Sequence, residues 1–342
     1  MTPCSDSSIR RRRAAVTWAA MLLAATLAAC SVDAGNVSAP LVPATDPASA
    51  DAASPFAGAS LLVDTASPAR ATATAWRTTR PADAAQLDKI AQEPLPRWFG
   101  PWTADPRADV DATVSSAVRA GALPVLVAYD MPNVGCGGPS GTSSATSAAY
   151  RTWITQFAAG IGARRAAVIL EPDALGSMDC LTADQQQERL GLFRAAVQAL
   201  SASGTIAVYL DAGNPGWQPA SVMASRLRDA GVMSTRGFAL NIANFITTRE
   251  NVAYGASLSA LLGGKHFVID TGRNGAGTNG DWCNPAGRAL GERPMTPPTS
   301  PLVDALLWIK APGESDGACN GATYSGQWLP EYALGLAQRA AY

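Results

Sequence analysis

Short apolar segments alternate along this chain with longer segments of helical composition. A strand buried on both faces reads as a continuous apolar run, and its regular alternation with helices is typical of βαβ units in a parallel sheet. The predicted strands are Leu61–Val63, Leu123–Tyr129, Ala167–Leu170, Ile206–Leu210, Gly237–Leu240, Phe267–Ile269 and Leu306–Ile309. The predicted helices are Ala82–Gln92, Val110–Ala120, Ser144–Gly160, Thr182–Ser203, Ser221–Gly231 and Thr248–Leu262. The fourth helix has the best-defined start, because Thr182 and Gln185 have capping-box spacing.

Most of these strands end in a polar or ionisable side chain. The ends are Tyr129-Asp130, Glu171-Pro172-Asp173, Asp211, Asn241, Asp270 and Lys310. In a closed β/α barrel such ends gather on the face that carries the active site. An open doubly wound sheet would gather them along one edge. Because no glycine-rich phosphate loop follows the first strand, the pattern favours a barrel over a nucleotide-binding sheet.

The segment Glu171-Pro172-Asp173 follows the apolar run Ala167–Leu170 directly. Carboxylates at the end of a buried strand are costly unless they are used or paired. A charged turn at a strand exit is the alternative interpretation, and the segment alone does not decide between the two.

Tryptophans lie beside carboxylates and turn residues in several predicted loops. An indole stacks well on the C–H face of a pyranose, while acids serve the hydroxyls and the glycosidic oxygen. Trp217 and Trp282, which are surrounded by Gly, Asn and Asp, are therefore predicted to be accessible. Trp153 lies in a helical pattern and is predicted to be core.

Charge and histidine content exclude several classes of protein. Charged residues make up 15% of the chain, the net charge is −1, and no basic face follows the N-terminus, so no nucleic-acid partner is expected. His266 is the single histidine, which argues against histidine-based nucleophilic triads and multi-histidine metal sites. We expect no metal and no organic cofactor, and a monomeric protein.

The N-terminus has the pattern of an export signal. Arg10–Arg13 precede the alanine-rich apolar segment Ala14–Ala29, which is too short for a secure membrane span. Leu27-Ala28-Ala29-Cys30 resembles a lipoprotein cleavage box, so residues 1–30 are predicted to be a signal peptide and Cys30 the lipidated first mature residue. A plain secretory signal is the alternative, and the twin-arginine route is weakly signalled. Either way the protein is expected to be exported, as a cell-envelope lipoprotein or in secreted form.

Residues 31–55 are small, polar and proline-rich, which predicts a tether. A single folded domain is predicted over residues 56–342. It contains four cysteines, Cys136, Cys180, Cys283 and Cys319, and an even number in an exported protein predicts disulfides. Sequence alone allows three pairings, and the lack of a C-x-x-C pair argues against zinc.

Five long motifs in the same order resemble the glycoside hydrolase family 6 cellulases. They are VLVAYDMPNVGCGG, ILEPDALGSM, YLDAGNPGW, VIDTGRNGAGTNGDWCNPAGRALG and LLWIKAPGESDGAC. The resemblance covers residues 56–342 and implies a distorted, roughly seven-stranded parallel β/α barrel. It also implies inverting hydrolysis of β-1,4-glucosidic bonds.

The resemblance assigns roles by position. It implies Asp173 as general acid, Asp316 as the proposed base and Tyr129 as the residue that helps to distort the sugar. Trp98, Trp217 and Trp282 match stacking platforms, and Asp211, Asn241, Lys310 and Glu314 are predicted to contact or support the substrate. The implied disulfides are Cys136–Cys180 and Cys283–Cys319.

Four positions, in three segments, depart from the family pattern. Gly135 replaces an Asp that is thought to raise the pKa of the acid, and Val134 replaces the Arg before it. If that Asp supplied one to two pKa units, its loss removes about 1.4–2.7 kcal/mol of bias toward protonated Asp173. Asn214 stands where His is usual, and Gly272 where Ser is frequent.

We therefore predict an exported endo-β-1,4-glucanase of cellulose-like β-glucans, with activity reduced by Gly135 and an acid-shifted pH optimum. The alternatives are a catalytically impaired carbohydrate-binding relative, and a glycosidase of another β-glucan or of a cell-envelope polymer.

Overall fold

The computed structural model describes residues 53–134 and 146–342. Seven parallel strands form one curled sheet in the order β2-β4-β5-β6-β7-β8-β9. They are β2 Arg97–Phe99, β4 Val125–Ala128, β5 Ala166–Leu170, β6 Ile206–Asp211, β7 Gly237–Leu240, β8 His266–Asp270 and β9 Val303–Leu307. The short strands β1 Ser60–Leu61 and β3 Ala122–Leu123 form a separate parallel pair.

Eight α-helices alternate with these strands in the described part of the chain. They are α1 Pro68–Trp76, α2 Pro81–Ala91, α3 Pro106–Arg119, α4 Ser147–Ile161, α5 Ala183–Ser201, α6 Ala220–Ala230, α7 Thr248–Leu261 and α8 Pro330–Gln338. The predicted capping box of Thr182 and Gln185 is present at the start of α5. No helix among the described residues is long and apolar enough to cross a bilayer.

Alternate residues of each strand pack into two different layers. In β5, Val168 and Leu170 belong to the large apolar cluster shared with the helices, whereas Ala167 and Ile169 face the smaller cluster inside the curl. Successive side chains of a strand point to opposite faces, so a strand buried on both faces must be apolar at every position. This explains the continuous apolar runs, and it confirms the predicted α/β class with a distorted, seven-stranded barrel. Trp153 is buried in the large cluster, as predicted.

The barrel is open between its first and last strands. No hydrogen-bonded ladder joins β2 to β9 within the described residues; instead, the indole Nε1 of Trp98 donates to the carbonyl of Ile309 at 2.8 Å. Below this seam, Phe56 lies in the inner cluster, with its ring centroid 6.2 Å from that of Tyr209.

Some predicted boundaries were wrong for identifiable reasons. The run Leu61–Val63 contributes only to β1, outside the main sheet, and the three-residue strand β2 was missed because it is too short to show a pattern. The last strand ends at Leu307, before Ile309, because the amides of Ile309 and Lys310 leave the ladder to donate to the Asp270 carboxylate. Helices α1 and α8 were also missed, since each spans only nine residues.

A buried ionic network ties the N-terminal ends of the strands together. Asp304 accepts two hydrogen bonds from the guanidinium of Arg236, both at 2.7 Å, and one from the hydroxyl of Tyr209 at 2.7 Å. Nδ1 of His266 lies 3.2 Å from the same carboxylate. The single histidine is therefore part of the barrel floor, on the face opposite to the carboxyl ends of the strands.

Candidate active site

Asp173 lies just beyond the end of β5 in a left-handed backbone conformation. Its φ is 70° and that of Glu171 is 52°, values that non-glycine residues adopt at a cost of about 1–3 kcal/mol each. Two hydrogen bonds hold the turn: the amide of Asp173 donates to Oδ2 of Asp211, and the amide of Ser177 donates to the carbonyl of Asp173, both at 2.9 Å. The strained turn places the half-buried Asp173 in the wall of a large cleft.

The pKa of Asp173 is raised to about 6. Burial is the largest cause, the negative charge of Asp316 also raises this pKa, and the positive charge of Lys310 opposes both effects. A carboxyl with this pKa is largely protonated in mildly acidic solution and can donate its proton.

Asp211 lies behind Asp173 and is fully buried. Besides the amide of Asp173, its carboxylate accepts the amide of Gly213 at 3.2 Å. Burial raises its pKa, the charge of Asp173 raises it further, and the backbone amides oppose the rise. Because repulsion between two carboxylates is mutual, ionisation of one opposes ionisation of the other. Asp211 is therefore placed to support Asp173 and does not line the cleft.

Asp316 is fixed by an ion pair with a buried arginine. Arg273 donates to its two oxygens at 2.9 and 2.7 Å, and the side chains of Arg273 and Asp316 are only 1% and 4% exposed. The amide of Asn284 also donates to Oδ2 of Asp316 at 3.0 Å, and the amide of Asp316 donates back to Oδ1 of Asn284 at 2.8 Å. Three N–H groups thus occupy both oxygens of Asp316, which presents a fixed negative charge opposite Asp173.

Tyr129 follows β4 and is held between two tryptophans. Its amide donates to the carbonyl of Phe99 at 2.9 Å. The centroid of its ring lies 5.5 Å from that of Trp98, in an edge-to-face arrangement, and 6.4 Å from that of Trp102. Burial and the charges of Asp173 and Glu171 raise the pKa of Tyr129 well above its ordinary value, so it stays a neutral phenol.

Lys310 is a buried cation beside the acids. Its Nζ lies 3.6 Å from Oε2 of Glu314 and 5.8 Å from the ring centroid of Trp98. Burial lowers its pKa, and the carboxylates of Glu314 and Asp316 oppose this effect. The buried carboxylate of Asp270 positions Lys310, because it accepts the amide of Lys310 at 3.0 Å and that of Ile309 at 3.2 Å.

One cavity of about 1410 Å³ gathers most of the predicted site residues. Those that line it are Trp98, Tyr129, Asp173, Trp282, Lys310, Glu314 and Asp316. Trp282 and Trp217 are 52% and 38% exposed, which confirms their predicted accessibility. Trp217 does not line this cavity; its ring lies over Gly176, where an added Cβ would approach it to 2.7 Å. The cavity exceeds the usual range of about 300–1,000 Å³ for small-molecule pockets, as a cleft for a polymer should.

The structure does not bring Asn241 into the cleft. Asn241 is buried, donates to the carbonyl of Asp270 at 2.8 Å and accepts the amide of Ile246 at 3.2 Å. Its amide group is thus already used within the fold, and contact with a substrate stays a prediction. Asn214 is likewise buried, and its Oδ1 accepts the amide of Gly216 at 3.0 Å.

A disulfide joins Cys283 to Cys319, as predicted, with the two Cα atoms 6.3 Å apart. It lies next to Asn284 and therefore braces the loop that holds Asp316. Cys136 and Gly135 lie outside the described residues, as does Cys30, so the Cys136–Cys180 bond and the lipid attachment stay predictions.

Two buried residues that connect the loops were not predicted as site residues. Oε2 of Glu171 accepts the amides of Asp130 and Met131, both at 2.9 Å, and ties the end of β5 to that of β4. Burial raises the pKa of Glu171 to about 8, against the effect of these amides. Arg189 of α5 donates to the carbonyl of Ala174 and to two carbonyls in the loop after Tyr129.

Arg273 and Asn284 were missed although both lie in quoted motifs. One indication for Arg273 was present in the sequence: it is the single charged residue of the segment TGRNG, which follows a strand. A charge buried there needs an ion-pair partner from another part of the chain. Among the described residues, no group of three or more His, Cys, Asp or Glu side chains could hold a metal ion.

The cleft is large enough for a polymer and contains a partly protonated carboxyl, a fixed carboxylate and tryptophans. On a β/α barrel, this arrangement defines a glycoside hydrolase. The chain belongs to the family "Glycosyl hydrolases family 6", whose model matches residues 56–340. This confirms the family resemblance and the prediction of a hydrolase.

Several bacterial relatives are named endoglucanases. Endoglucanase A of Cellulomonas fimi is 45% identical over 269 residues, which cover 78% of this chain and 59% of the relative. Endoglucanase 1 of Streptomyces halstedii is 45% identical over 275 residues, covering 76% of this chain and 84% of the relative. The chain therefore spans about three fifths of the length of Endoglucanase A and most of the length of Endoglucanase 1.

A solved endoglucanase structure is similar to this chain in both fold and sequence. The endoglucanase Cel6 of Mycobacterium tuberculosis, in complex with methyl-cellobiosyl-4-deoxy-4-thio-β-D-cellobioside, has a TM-score of 0.78 and 44% identity. The match covers 84% of this chain and 99% of that one.

Proposed function

We propose that this protein is an endo-acting glucanase that hydrolyses internal β-1,4-glucosidic bonds of cellulose-like glucans with inversion. The observation that carries the proposal is the pairing of two carboxyls with opposite roles in one open cleft. Asp173 has a pKa raised to about 6, and Asp316 is held by Arg273. The names of the bacterial relatives and the thio-cellobioside bound to the Mycobacterium enzyme support a β-1,4-glucan as substrate.

In the reaction, protonated Asp173 donates its proton to the glycosidic oxygen as the bond to the anomeric carbon breaks. Tyr129 lies beside Asp173 as a neutral phenol and supports a distorted sugar ring at the cleavage point. The positive charge that develops on the ring is stabilised by the carboxylate of Asp316.

Inversion is supported by the way in which Asp316 is bound. A retaining enzyme needs a carboxylate that is free to attack the anomeric carbon. Both oxygens of Asp316 already accept N–H groups from Arg273 and Asn284. Such a carboxylate can orient and polarise a water molecule, but an attack on carbon would break its ion pair.

Internal cleavage is supported by the exposure of the aromatic side chains. Trp282, which lines the cleft, is 52% exposed, so a glucan chain can enter sideways rather than by threading its end. An open cleft of this kind cuts long chains at internal bonds.

The test compares the wild-type protein with Asp173→Asn and Asp173→Ala on carboxymethylcellulose. We expect a rapid fall in viscosity relative to reducing-end release, and a loss of about 10²–10⁴-fold in kcat for both variants. Proton NMR of the first products from cellohexaose should show the α-anomer. Equal rates for the wild type and Asp173→Ala at every pH would contradict a hydrolytic role for this site.

We also propose that the chain is exported, with Cys30 as a lipid-modified first residue. The support is the sequence Leu27-Ala28-Ala29-Cys30 after four arginines and an apolar segment. Mass spectrometry of the mature N-terminus tests this, since an unmodified residue at another position would contradict lipidation.

A further inference from the structure

Trp102 is an exposed aromatic residue in the cleft wall that none of the roles above uses. It is 58% exposed and lines the same cavity as Tyr129 and Asp173. Single exposed apolar residues are ordinary on protein surfaces. Trp102 differs because it continues a row of aromatic rings that begins at the reaction centre.

This row runs outward from the inside of the barrel. Trp98 packs against the inner cluster, Tyr129 lies 5.5 Å from it, and Trp102 lies 6.4 Å beyond Tyr129, centroid to centroid. The planes of Tyr129 and Trp102 are inclined by 40°. Both centroid distances lie within the range of about 4.5–7 Å for contacting aromatic rings, so the three rings pack as one continuous row.

The indole of Trp102 is held in place by the turn that carries it. The amide of Thr103 donates to the carbonyl of Gly100 at 2.8 Å, and the amide of Gly100 donates to Oγ1 of Thr103 at 3.1 Å. The benzene edge of the indole lies on Gly100, where an added Cβ would approach Cη2 to 2.6 Å. Because residue 100 has no side chain, this edge packs on backbone while the rest of the ring stays accessible, as a stacking platform requires.

The cavity that Trp102 lines also reaches helix α3. It follows the face of α3 that carries Asp109, Thr113 and Ser116, whose oxygens suit hydrogen bonding to sugar hydroxyls.

We propose that Trp102 is a further sugar-binding platform, on which a glucosyl unit outside the cleavage point stacks as the chain leaves toward α3. This inference rests on the proposed function, because it takes a β-1,4-glucan as the ligand. The platform adds affinity for long chains and does not touch the reacting atoms.

Calorimetric binding of cellohexaose and cellotetraose to Asp173→Asn protein tests the platform. Adding Trp102→Ala should raise the Kd for cellohexaose about tenfold and that for cellotetraose less than about twofold. Trp102→Phe should recover much of the lost affinity, because it keeps an aromatic face. Met233→Ala, which truncates an exposed side chain on the opposite face of the barrel, is the matched control and should change neither Kd.

An unchanged Kd for cellohexaose in Trp102→Ala would overturn the platform. Equal weakening for both oligosaccharides would also overturn it, because Trp102 would then act by supporting Tyr129. In both cases, hydrolysis of cellohexaose by the wild type would still support the proposed function. Failure of the proposed function is distinct: the wild type would neither bind nor cleave cellohexaose.

Discussion

The pH dependence of hydrolysis should respond in opposite directions to the removal of two charges near Asp173. Lys310→Met removes a positive charge that lowers the pKa of Asp173, so this pKa should rise and activity should persist to higher pH. Asp316→Asn removes a negative charge that raises the same pKa, so the residual activity should disappear at lower pH. Opposite shifts of the pH dependence would be specific to the two charges, because a general loss of stability would affect both variants in the same direction.

The magnitude follows from the causes of the raised pKa. The rise of the pKa of Asp173 from 3.8 to about 6 corresponds to about 3 kcal/mol in favour of the protonated form. Burial is the largest cause and remains in both variants. Each charge should therefore move the descending limb of the profile by about half to one pH unit, or about 0.7–1.4 kcal/mol.

The assay is kcat on carboxymethylcellulose at saturating concentration between about pH 4 and about pH 8. Both residues also contribute to the site, so the position of the limb is compared and not the absolute rate. Lys89→Met makes the same charge change on α2, where Lys89 donates to the carbonyl of Ala337, and should leave the limb in place. Shifts in the same direction for Lys310→Met and Asp316→Asn would refute this electrostatic account.

Three further predictions concern stability. Asp173→Asn should raise the free energy of unfolding by up to about 3 kcal/mol above about pH 6 and by little below about pH 4. The reason is that a carboxyl with a raised pKa loses its stabilising contribution as the pH rises from 3.8 through about 6. Urea unfolding of the variant and the wild type at both pH values measures this difference, and an equal gain at both would contradict it. Asp304→Ala should cost about 3–5 kcal/mol in urea unfolding while the descending limb of the pH profile stays in place, since it removes a buried carboxylate and leaves the half-buried Arg236 without its partner. The double variant Cys283→Ser/Cys319→Ser opens a loop with a sequence separation of 36, and the chain-entropy relation gives a loss of about 4 kcal/mol in the free energy of unfolding. Calorimetry should show a lower Tm. An unchanged Tm would contradict the idea that this disulfide stabilises the loop.

Local patterns were sufficient for much of the fold and for several site residues. Continuous apolar runs such as Ala167–Leu170 predict strands buried on both faces, because alternate residues must pack on the helices and inside the barrel. In parallel strands the polar ends meet at one face, so Asp173 and Lys310 could be placed together before any contact was known. The spacing of Thr182 and Gln185 located the start of α5, because capping depends on neighbours within one turn.

Contacts between distant segments decided the chemistry. Arg273 and Asp316 are separated by 43 positions, and no periodicity in either segment indicates that they form a buried ion pair. Asp270 ends the last strand early by accepting two amides from it, an effect that depends on the position of a neighbouring strand. From the sequence, Gly135 indicated an acid without the residue that keeps it protonated. The tertiary structure shows that burial and the charge of Asp316 raise the pKa of Asp173, and both effects exist only once the barrel has brought these groups together.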